Sequence, residues 1–280
     1  MKSSSKLLVK SPGNGPGLHR IAGPGDAGLR LLEFFILNLN QEKPTHTGST
    51  KDREFTLDFF SGESVVEGST GSGQKFRFQE VGKRDSAFSG PPEMIYIPAG
   101  SEFSIKANGT ARVGVFTAPA RVNKESSPAY VTGDKAAKLT VGKSNWTRDV
   151  VTSIGNNVQA EKLIVGETLN PPGNWSSAPP HKHDVKTAEN EAPMEEIYYF
   201  QIDPPQGFGM MRVYTAPGDG DPFDEAVVVE DGDTVLIPRG YHPVAAAPGY
   251  KMHYTWALAG EERRYGAWSD DPKHSWLKKN

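Results

Sequence analysis

The sequence predicts an all-β protein made of two similar barrels in tandem. Its 30 glycines and 22 prolines are scattered among short strand-like runs, a pattern typical of β-sandwiches and barrels. An internal repeat indicates the number of barrels, because residues 95–100 (IYIPAG) match residues 235–240 (VLIPRG). The run at residues 111–118 loosely resembles the run at 251–258. A repeat this long means two copies of one barrel, since the units of a solenoid are shorter.

The composition is that of a folded protein and restricts its chemistry. Of 280 residues, 36% are hydrophobic and 23% are charged, which excludes a disordered chain and allows one large or two ordinary domains. A formal net charge of −3 gives no indication of a nucleic-acid partner. The chain has no cysteine, so disulfides and thiolate ligands are excluded. Any metal must therefore bind to nitrogen and oxygen ligands.

The first part of the chain predicts loops followed by strands. Residues 1–10 contain only a three-residue apolar run, far below the roughly 7–15 apolar residues of a secretory signal. No apolar run approaches the roughly 18–20 residues of a membrane span, so we expect a cytoplasmic protein with no membrane partner. Residues 11–28, rich in glycine and proline, predict a loop. Residues 29–37 fit a buried strand or a short helix, and their aromatic content favours the strand.

Further short runs complete the first barrel. Four of them are alternating or apolar, and turn-forming residues separate most of them: residues 55–60, 75–78, 94–98 and 113–116. We expect this barrel, residues 1–135, to be a metal-free scaffold that packs against the second and contributes to oligomer contacts. It offers only His46 in the region where the second copy has a histidine pair, and it has no counterpart of His242.

The second barrel is predicted to span residues 136–280. The lysine-containing stretch at residues 132–143 predicts an exposed linker between the two barrels. The first strand of the second barrel is expected to begin at residues 148–151 (RDVV).

A cluster of histidines and acids in the second barrel predicts a metal site. His181 and His183 point the same way on an extended segment, because side chains alternate faces along a strand. His242 follows a Pro-x-Gly turn, and Glu195 and Glu196 begin the strand that lies between these motifs in sequence. Three imidazoles and one carboxylate suit a divalent transition metal with positions left open for substrate. The pair alone is also compatible with surface histidines, but the third histidine favours ligation.

Strand parity does not decide between the two glutamates. Glu196 shares a face with Tyr198, and Glu195 shares the other face with Tyr199. Both faces are apolar enough to lie inside the protein, so both glutamates remain candidates at this point.

The motifs resemble those of the cupin superfamily, which are His-x-His followed by Glu, and then Gly, five residues, Pro-x-Gly and a nearby His. More narrowly, several segments together resemble the 5-deoxy-glucuronate isomerase family of myo-inositol catabolism, which is related to 4-deoxy-5-threo-hexosulose-uronate isomerase of pectin breakdown. These segments are residues 180–184 (PHKHD), 195–199 (EEIYY), 204–208 (PPQGF), 212–215 (RVYT) and 238–244 (PRGYHPV). The resemblance implies a tandem double-stranded β-helix, or bicupin, of two jelly-roll barrels.

The resemblance also implies which residues bind the metal. Aligning residues 196–198 with the family's Glu-hydrophobic-Tyr favours Glu196 as the ligand that joins His181, His183 and His242. Glu195 would then be a proton-transfer group or an exposed acid. The sequence departs from the general cupin motif in the long loop before the glutamates, which lie 12 and 13 residues after His183. A longer loop is a feature that the isomerase family shares.

Polar residues on the neighbouring segments are candidates for substrate binding. Arg212 is either an ion-paired or snorkelling strand residue or a bidentate clamp for a substrate carboxylate, and we favour the clamp. Gln206 either binds a sugar hydroxyl or only forms a turn. Arg148 and Arg239 are weaker candidates for the clamp.

Four other charged or titratable residues are predicted to lie outside the metal site. Asp184 and Glu189 are expected to be loop charges, and Lys182 should point away from the metal because it lies between two ligands. His253 is expected on the outer face of its strand.

The family resemblance implies an aldose–ketose isomerase that interconverts 5-deoxy-D-glucuronate and 5-dehydro-2-deoxy-D-gluconate. Proton transfer between C2 and C1 passes through an enediolate, whose charge a metal stabilises as a Lewis acid. The candidate proton-transfer groups are Glu195, Glu196 and Tyr198, and the sequence does not choose among them. The ligands accept Zn, Mn, Fe, Co or Ni, of which we favour zinc.

Two other functional classes remain open. The same ligands with Fe(II) would suit a cupin dioxygenase, and a sugar-acid-binding cupin would bind without turnover. The expected partners are a small uronic-acid substrate and further copies of the chain in a homo-oligomer, with no nucleic acid.

Overall fold

The computed structural model describes residues 5–11, 13, 15–187, 190–216 and 218–279. It is dominated by antiparallel strands. In the first half of the chain the strands are β1 Leu8–Val9, β2 Gly17–Ala22, β3 Glu33–Leu39, β4 Thr45–Ser49, β5 Arg53–Ser69, β6 Lys75–Gly82, β7 Met94–Ile97, β8 Glu102–Pro119 and β9 Ala129–Val131.

The second half of the chain is built in the same way. Its strands are β10 Ala137–Val141, β11 Arg148–Ile154, β12 Leu163–Asn170, β13 Trp175–Ser176, β14 His181–Lys182, β15 Glu195–Asp203, β16 Phe208–Tyr214, β17 Asp224–Glu230, β18 Thr234–Ile237, β19 Val244–Ala246, β20 Lys251–Ala259 and β21 Ser269–Asp270. Two short 3₁₀ helices, Ser144–Trp146 and Ser275–Lys278, complete the described elements. No helix in this described part of the chain has the length and apolar character needed to span a membrane.

The first barrel is one curved eight-stranded sheet. Its main order is β2-β3-β8-β5-β7-β9, with β4 paired to β8 and β6 paired to β5. Strands β5 and β8 are 17 and 18 residues long, and their register shifts near Gly62. Gly62 has a φ of +83°, and a Cβ there would lie 2.0 Å from the carbonyl oxygen of Thr110. Glycine is required at this close approach, where the long strands bend.

The second barrel has two facing sheets. A seven-stranded sheet, in the order β1-β18-β15-β20-β12-β11-β10, packs against a four-stranded sheet, β13-β19-β16-β17. Buried side chains from both sheets, among them Phe200, Met252, Val213 and Val244, fill the space between them. A separate two-stranded pair, β14 with β21, lies beside this sandwich.

The two barrels pack through a shared hydrophobic core. The rings of Phe34 and Phe116 from the first barrel stack at 4.4 Å between centroids. Tyr199 from the second barrel stacks against Phe60 from the first at 5.0 Å. Because the face of β15 that carries Tyr199 is buried by the first barrel, both faces of this strand are interior.

A buried charged cluster also crosses the boundary between the barrels. Arg84 donates to Glu167 Oε2 at 2.9 Å, and its Nη2 lies 3.5 Å from Asp58 Oδ1. His253 Nε2 lies 2.9 Å from Glu167 Oε2. His253 is thus on the outer face of the second barrel, as predicted, but this face is buried against the first barrel and not exposed to solvent.

The structure differs from the predictions at three places. Residues 11–28, predicted as a loop, include strand β2, Gly17–Ala22, which pairs with β3. Leu8–Val9, placed with the first barrel, pairs with β18 of the second. Ala137–Val141, predicted as linker, forms the largely exposed edge strand β10. The run at residues 29–37 is a strand from Glu33 onward, as its aromatic residues favoured. The division at residue 135 and the homo-oligomeric state stay predictions.

Candidate active site

The three predicted histidines converge at one end of the second barrel. His181 lies on β14, His183 follows directly, and His242 follows the turn after β18. One ring nitrogen from each of the three histidines lies within 4.8 Å of the other two. Lys182 points the other way, where its Nζ pairs with Asp184 and lies 3.2 Å from Glu191 Oε1. The strand alternation expected from the His-x-His motif is therefore present.

Backbone carbonyls orient two of the rings. His183 Nδ1 lies 2.7 Å from the carbonyl oxygen of Met194, and His242 Nδ1 lies 2.9 Å from that of Gly240. When Nδ1–H donates to a carbonyl, the lone pair of Nε2 is free to bind a metal, an arrangement common among metal-binding histidines.

Glu196 supplies a carboxylate to the cluster. Its Oε2 lies 3.1 Å from His183 Nε2 and 3.3 Å from His242 Nε2, and all three side chains are buried. His242 Nε2 is buried and makes no hydrogen bond with any described residue. A buried ring nitrogen without a hydrogen bond, beside a carboxylate and two other imidazoles, fits a divalent metal.

Glu195 faces away from this cluster. Its carboxylate accepts hydrogen bonds of 2.8, 2.8 and 2.6 Å from the backbone N–H groups of Arg30, Leu31 and Leu32, just before β3 of the first barrel. Glu195 is therefore a buried anchor between the barrels, which corrects its prediction as a proton-transfer group or exposed acid. Of the two glutamates that parity left open, the structure brings only Glu196 to the histidines.

Burial and the neighbouring carboxylate set the protonation of the histidines. Burial lowers the pKa of His181 well below its usual value, and the nearby imidazoles lower it further. Burial also lowers the pKa of His242. For His183, burial acts in the same direction and is the largest single effect, but the hydrogen bond to Glu196, the charge of Glu196 and the backbone hydrogen bond to Met194 together outweigh it and raise the pKa. His181 and His242 are thus held as the neutral rings that bind metals.

A cavity of about 350 Å³ opens beside the cluster. This volume lies in the range of small-molecule sites. Most of its wall is apolar or aromatic, and the wall comprises Leu139, Val141, Trp146, Arg148, Val150, Thr168, Ser176, Ser177, Ala178, Pro179, His181, His183, Met194, Glu196, Tyr198, Tyr254, Trp256, Leu258, Tyr265, Gly266, Trp268, Asp270 and Lys278.

Tyr198 is a protonated hydroxyl beside the histidines. Its ring centroid lies 5.8 Å from that of His242 and 4.5 Å from that of Tyr254, on which it stacks. Its hydroxyl lies 3.3 Å from Ser177 Oγ. Burial raises the pKa of Tyr198 well above its usual value, and the charge of Glu196 adds to this. At neutral pH Tyr198 therefore retains its proton and is able to donate it in a hydrogen bond.

Arg148 is the arginine that lines the described cavity. It is half-buried at the start of β11, and Nη1 donates to the carbonyl oxygen of Trp146 at 3.2 Å. Its Nε is buried and has no hydrogen-bond partner among the described residues. Burial lowers the pKa of Arg148, yet a guanidinium stays charged in proteins. The cavity thus contains a cation with donor capacity to spare.

The favoured clamp residue, Arg212, lies elsewhere. It is exposed on β16, where Nε and Nη2 donate to Asp224 at 2.7 and 2.6 Å, and its guanidinium lies 4.0 Å from the ring centroid of Tyr214. This is the ion-paired strand residue that was the alternative interpretation. Gln206 is exposed in the turn between β15 and β16, and Arg239 donates to the carbonyl oxygen of Gly220 at 2.6 Å. None of these three side chains lines the cavity.

Residues near the end of the chain also reach the cavity, although the sequence had not indicated them. Pairing of β14 with β21 places His181 opposite Asp270 and brings Trp268 within 5.4 Å of the His181 ring. No local sequence pattern predicts this long-range pairing. The loop acid Asp184 has a structural role, since it accepts a hydrogen bond of 2.8 Å from the backbone N–H of Gly240. Glu189 lies outside the described residues.

The chain is similar to one known protein family and to curated proteins. The sequence profile of the KduI/IolB family matches residues 7–277. A protein of Geobacillus kaustophilus called 5-deoxy-glucuronate isomerase is 36% identical over 277 residues, which are 98% of this chain and 95% of that protein. A Bacillus subtilis (strain 168) protein of the same name is 31% identical over 266 residues, 94% of each chain.

Solved structures show the same fold. An IolB-like protein from Salmonella typhimurium LT2 superposes with a TM-score of 0.88 at 29% identity, over 97% of this chain and 99% of that chain. Oxalate decarboxylase from Lactobacillus farciminis gives a TM-score of 0.71 at 12% identity, over 100% and 92% of the two chains, and indicates the fold alone. The predicted all-β bicupin fold is confirmed.

Proposed function

The chain belongs to the KduI/IolB family, and on that premise we propose that it is a metal-dependent aldose–ketose isomerase that converts 5-deoxy-D-glucuronate to 5-dehydro-2-deoxy-D-gluconate in myo-inositol catabolism. The prediction of an isomerase is confirmed by the curated relatives. The substrate, taken from the names of those relatives, and the metal dependence are the proposal.

We propose that His181, His183, His242 and Glu196 bind one divalent metal ion, with zinc favoured. The arrangement is supported by the ring nitrogens within 4.8 Å of one another and by the carboxylate between two of them. When bound, the metal supplies a Lewis acid for the negative charge that develops on the substrate oxygens.

Arg148, which lines the same cavity, binds the substrate carboxylate. A guanidinium binds a carboxylate through two parallel hydrogen bonds, and Arg148 has a buried Nε that makes none with the described protein. In this role Arg148 replaces Arg212, which is already paired with Asp224. Holding the carboxylate orients the open-chain sugar so that its carbonyl end faces the histidines.

Two of the three predicted proton-transfer groups remain for the reaction itself. The Tyr198 hydroxyl faces the cavity and donates a hydrogen bond to the substrate oxygen that gains charge. Glu196 Oε2 lies between His183 and His242, so the second oxygen of this carboxylate accepts the proton from C2 and delivers it to C1, while the hydroxyl proton of O2 passes to O1. The apolar wall around them excludes water, so that the proton is transferred within the site.

One observation supports this function most strongly, namely that three imidazoles and one carboxylate meet beside a cavity of small-molecule size, whose wall includes His181, His183, Glu196 and Arg148. The test is anaerobic incubation of the metal-loaded protein with 5-deoxy-glucuronate in heavy water, followed by proton NMR. We expect the ketose signals to replace those of the aldose, without oxygen.

Two histidine variants complete the experiment. His183→Ala is expected to abolish conversion, whereas His19→Ala, in the first barrel and outside the cluster, retains it. Turnover only with oxygen would indicate the dioxygenase instead. Binding of 5-deoxy-glucuronate without turnover by the metal-replete protein would indicate the sugar-acid-binding alternative.

A further inference from the structure

Two valines flank the arginine of the cavity. In the pairing of β10 with β11, Val141 lies opposite Arg148 and Leu139 lies opposite Val150. Residues two apart on a strand share a face, and cross-strand partners lie side by side, so Arg148, Val141 and Val150 form one patch of the wall. The guanidinium therefore leaves the sheet between two β-branched apolar side chains.

The polar groups next to this patch are already bonded to the protein. Val150 lies opposite Thr168 on β12, and Thr168 lies opposite Tyr254 on β20. Thr168 Oγ1 accepts a hydrogen bond of 3.1 Å from Trp256 Nε1. The Tyr254 hydroxyl lies 2.5 Å from Ser176 Oγ. Among the described residues, the guanidinium is thus the main free polar group that this part of the wall presents to a ligand.

We infer that Val141 and Val150 determine specificity for a substrate whose carbon next to the carboxylate carries no hydroxyl. The inference rests on the proposed function, in which Arg148 binds the carboxylate. That carbon is one bond away from the carboxylate, so it lies against the two valines that flank the guanidinium. A hydroxyl on it would lose its water and find no partner there.

The expected discrimination follows from this chemistry. An apolar pocket rejects an added hydroxyl by about 100-fold. The wild-type kcat/KM for 5-deoxy-glucuronate should therefore exceed that for glucuronate, which has a hydroxyl at C5, by at least about this factor. Replacing a valine with threonine, which has nearly the same shape, provides a partner for the hydroxyl.

The test compares Val141→Thr and Val150→Thr with the wild type. The ratio of kcat/KM for the deoxy substrate to that for glucuronate is expected to fall roughly tenfold in at least one variant. Ring closure of glucuronate affects every variant equally and cancels when the ratios are compared. Val228→Thr, which is 47% exposed on the outer face of β17, is the matched control and should leave the ratio unchanged.

A binding measurement separates this inference from the proposed function. Calorimetric titration with hexanoate and with 2-hydroxyhexanoate, both acyclic and each with a single carboxylate, needs no turnover, and we expect the wild type to prefer hexanoate and the threonine variants to lose that preference. No turnover of 5-deoxy-glucuronate by the wild type would defeat the proposed function, while the titration would still decide the inference. Unchanged ratios and preferences in both threonine variants, or an equal loss for both substrates, would overturn the inference.

Discussion

Glu54 and Glu195 hold equivalent positions in the two barrels and make the same contact in opposite directions. Glu54 lies opposite Ala118 on β8. Glu195 lies opposite Ala259 on β20, the corresponding strand of the second barrel. Glu195 accepts three backbone N–H groups from the first barrel, and Glu54 accepts three from the second, at 2.7 Å each: those of Glu161, Lys162 and Leu163. Each barrel thus anchors the chain that leads into a strand of the other.

Glu195→Gln is expected to lower stability without removing the metal site. Hydrogen bonds to a charged group contribute about 1.5–3 kcal/mol, and the amide weakens three of them, so we expect the free energy of unfolding in urea to fall by about 2 kcal/mol. Turnover per folded molecule should be retained. If Glu195→Gln abolished turnover with its unfolding curve unchanged, Glu195 would belong to the chemistry and not to the anchor.

Glu196→Gln, one residue away, is expected to weaken metal binding. The amide is neutral and a poorer ligand than the carboxylate, so bound metal per chain, measured by mass spectrometry after dialysis, should fall. Chelation should inactivate the wild-type protein, and added metal should restore it but not the variant. Equal metal content in Glu196→Gln and Glu195→Gln would contradict the proposed ligand set.

Arg148 and Arg212 form a matched pair of arginine variants. Arg148→Lys loses the bidentate geometry at the carboxylate, so kcat/KM should fall by about 10–100-fold, equivalent to about 1.5–3 kcal/mol. Arg212→Lys changes an exposed ion pair and a contact with the Tyr214 ring, both outside the cavity, and should remain near the wild-type value. Steady-state kinetics check both. A greater loss in Arg212→Lys would restore the clamp first expected from the sequence.

Tyr198→Phe removes the hydroxyl from the cavity while leaving the ring stacked on Tyr254. If this hydroxyl acts in proton transfer or charge stabilisation, kcat should fall by about 100-fold or more. Metal content should be unchanged. Tyr265→Phe is the control, because its hydroxyl is bonded to Thr152 Oγ1 at 3.0 Å. Similar kinetics for the two variants would exclude the proposed role of Tyr198.

The charged cluster between the barrels predicts a pH-dependent stability. Burial raises the pKa of Asp58 well above 3.8, and Glu167 adds to this. Burial also acts to raise the pKa of Glu167, but Arg84 and His253 outweigh it and hold it below 4.5. Glu167 therefore contributes stability above about pH 4.5 that is lost as the pH falls through its lowered pKa, whereas a charged Asp58 costs stability as the pH rises.

Two amide variants test these opposite signs. At pH 7, Glu167→Gln should lose about 3 kcal/mol of unfolding free energy, because Arg84 is left buried without its charged partner. Asp58→Asn should be at least as stable as the wild type. The deficit of Glu167→Gln should shrink as the pH falls below about 4.5. Urea unfolding between pH 3.5 and 8 measures both, and a large loss in Asp58→Asn at pH 7 would contradict the raised pKa.

The sequence by itself determined the fold class and the histidine cluster. The fold class follows from the turn residues that separate short strand-like runs. The histidine cluster follows from the two-residue alternation that puts His181 and His183 on one side and from the turn that precedes His242. The match between residues 95–100 and 235–240 indicated the duplication because turn residues need the same backbone shape in each copy.

The family resemblance favoured Glu196, but the residues' own pattern left both glutamates open, and only the tertiary structure showed which glutamate and which arginine reach the cavity. Both faces of β15 are buried, one by the opposing sheet and one by the first barrel, so alternation carried no information about Glu195 and Glu196. Arg212 was misleading because its strand exposes apolar residues, among them Met210, on the same face. Arg148 reaches the cavity because β10 and β11 extend the seven-stranded sheet over it, and pairing between distant segments is not encoded in any short stretch of sequence.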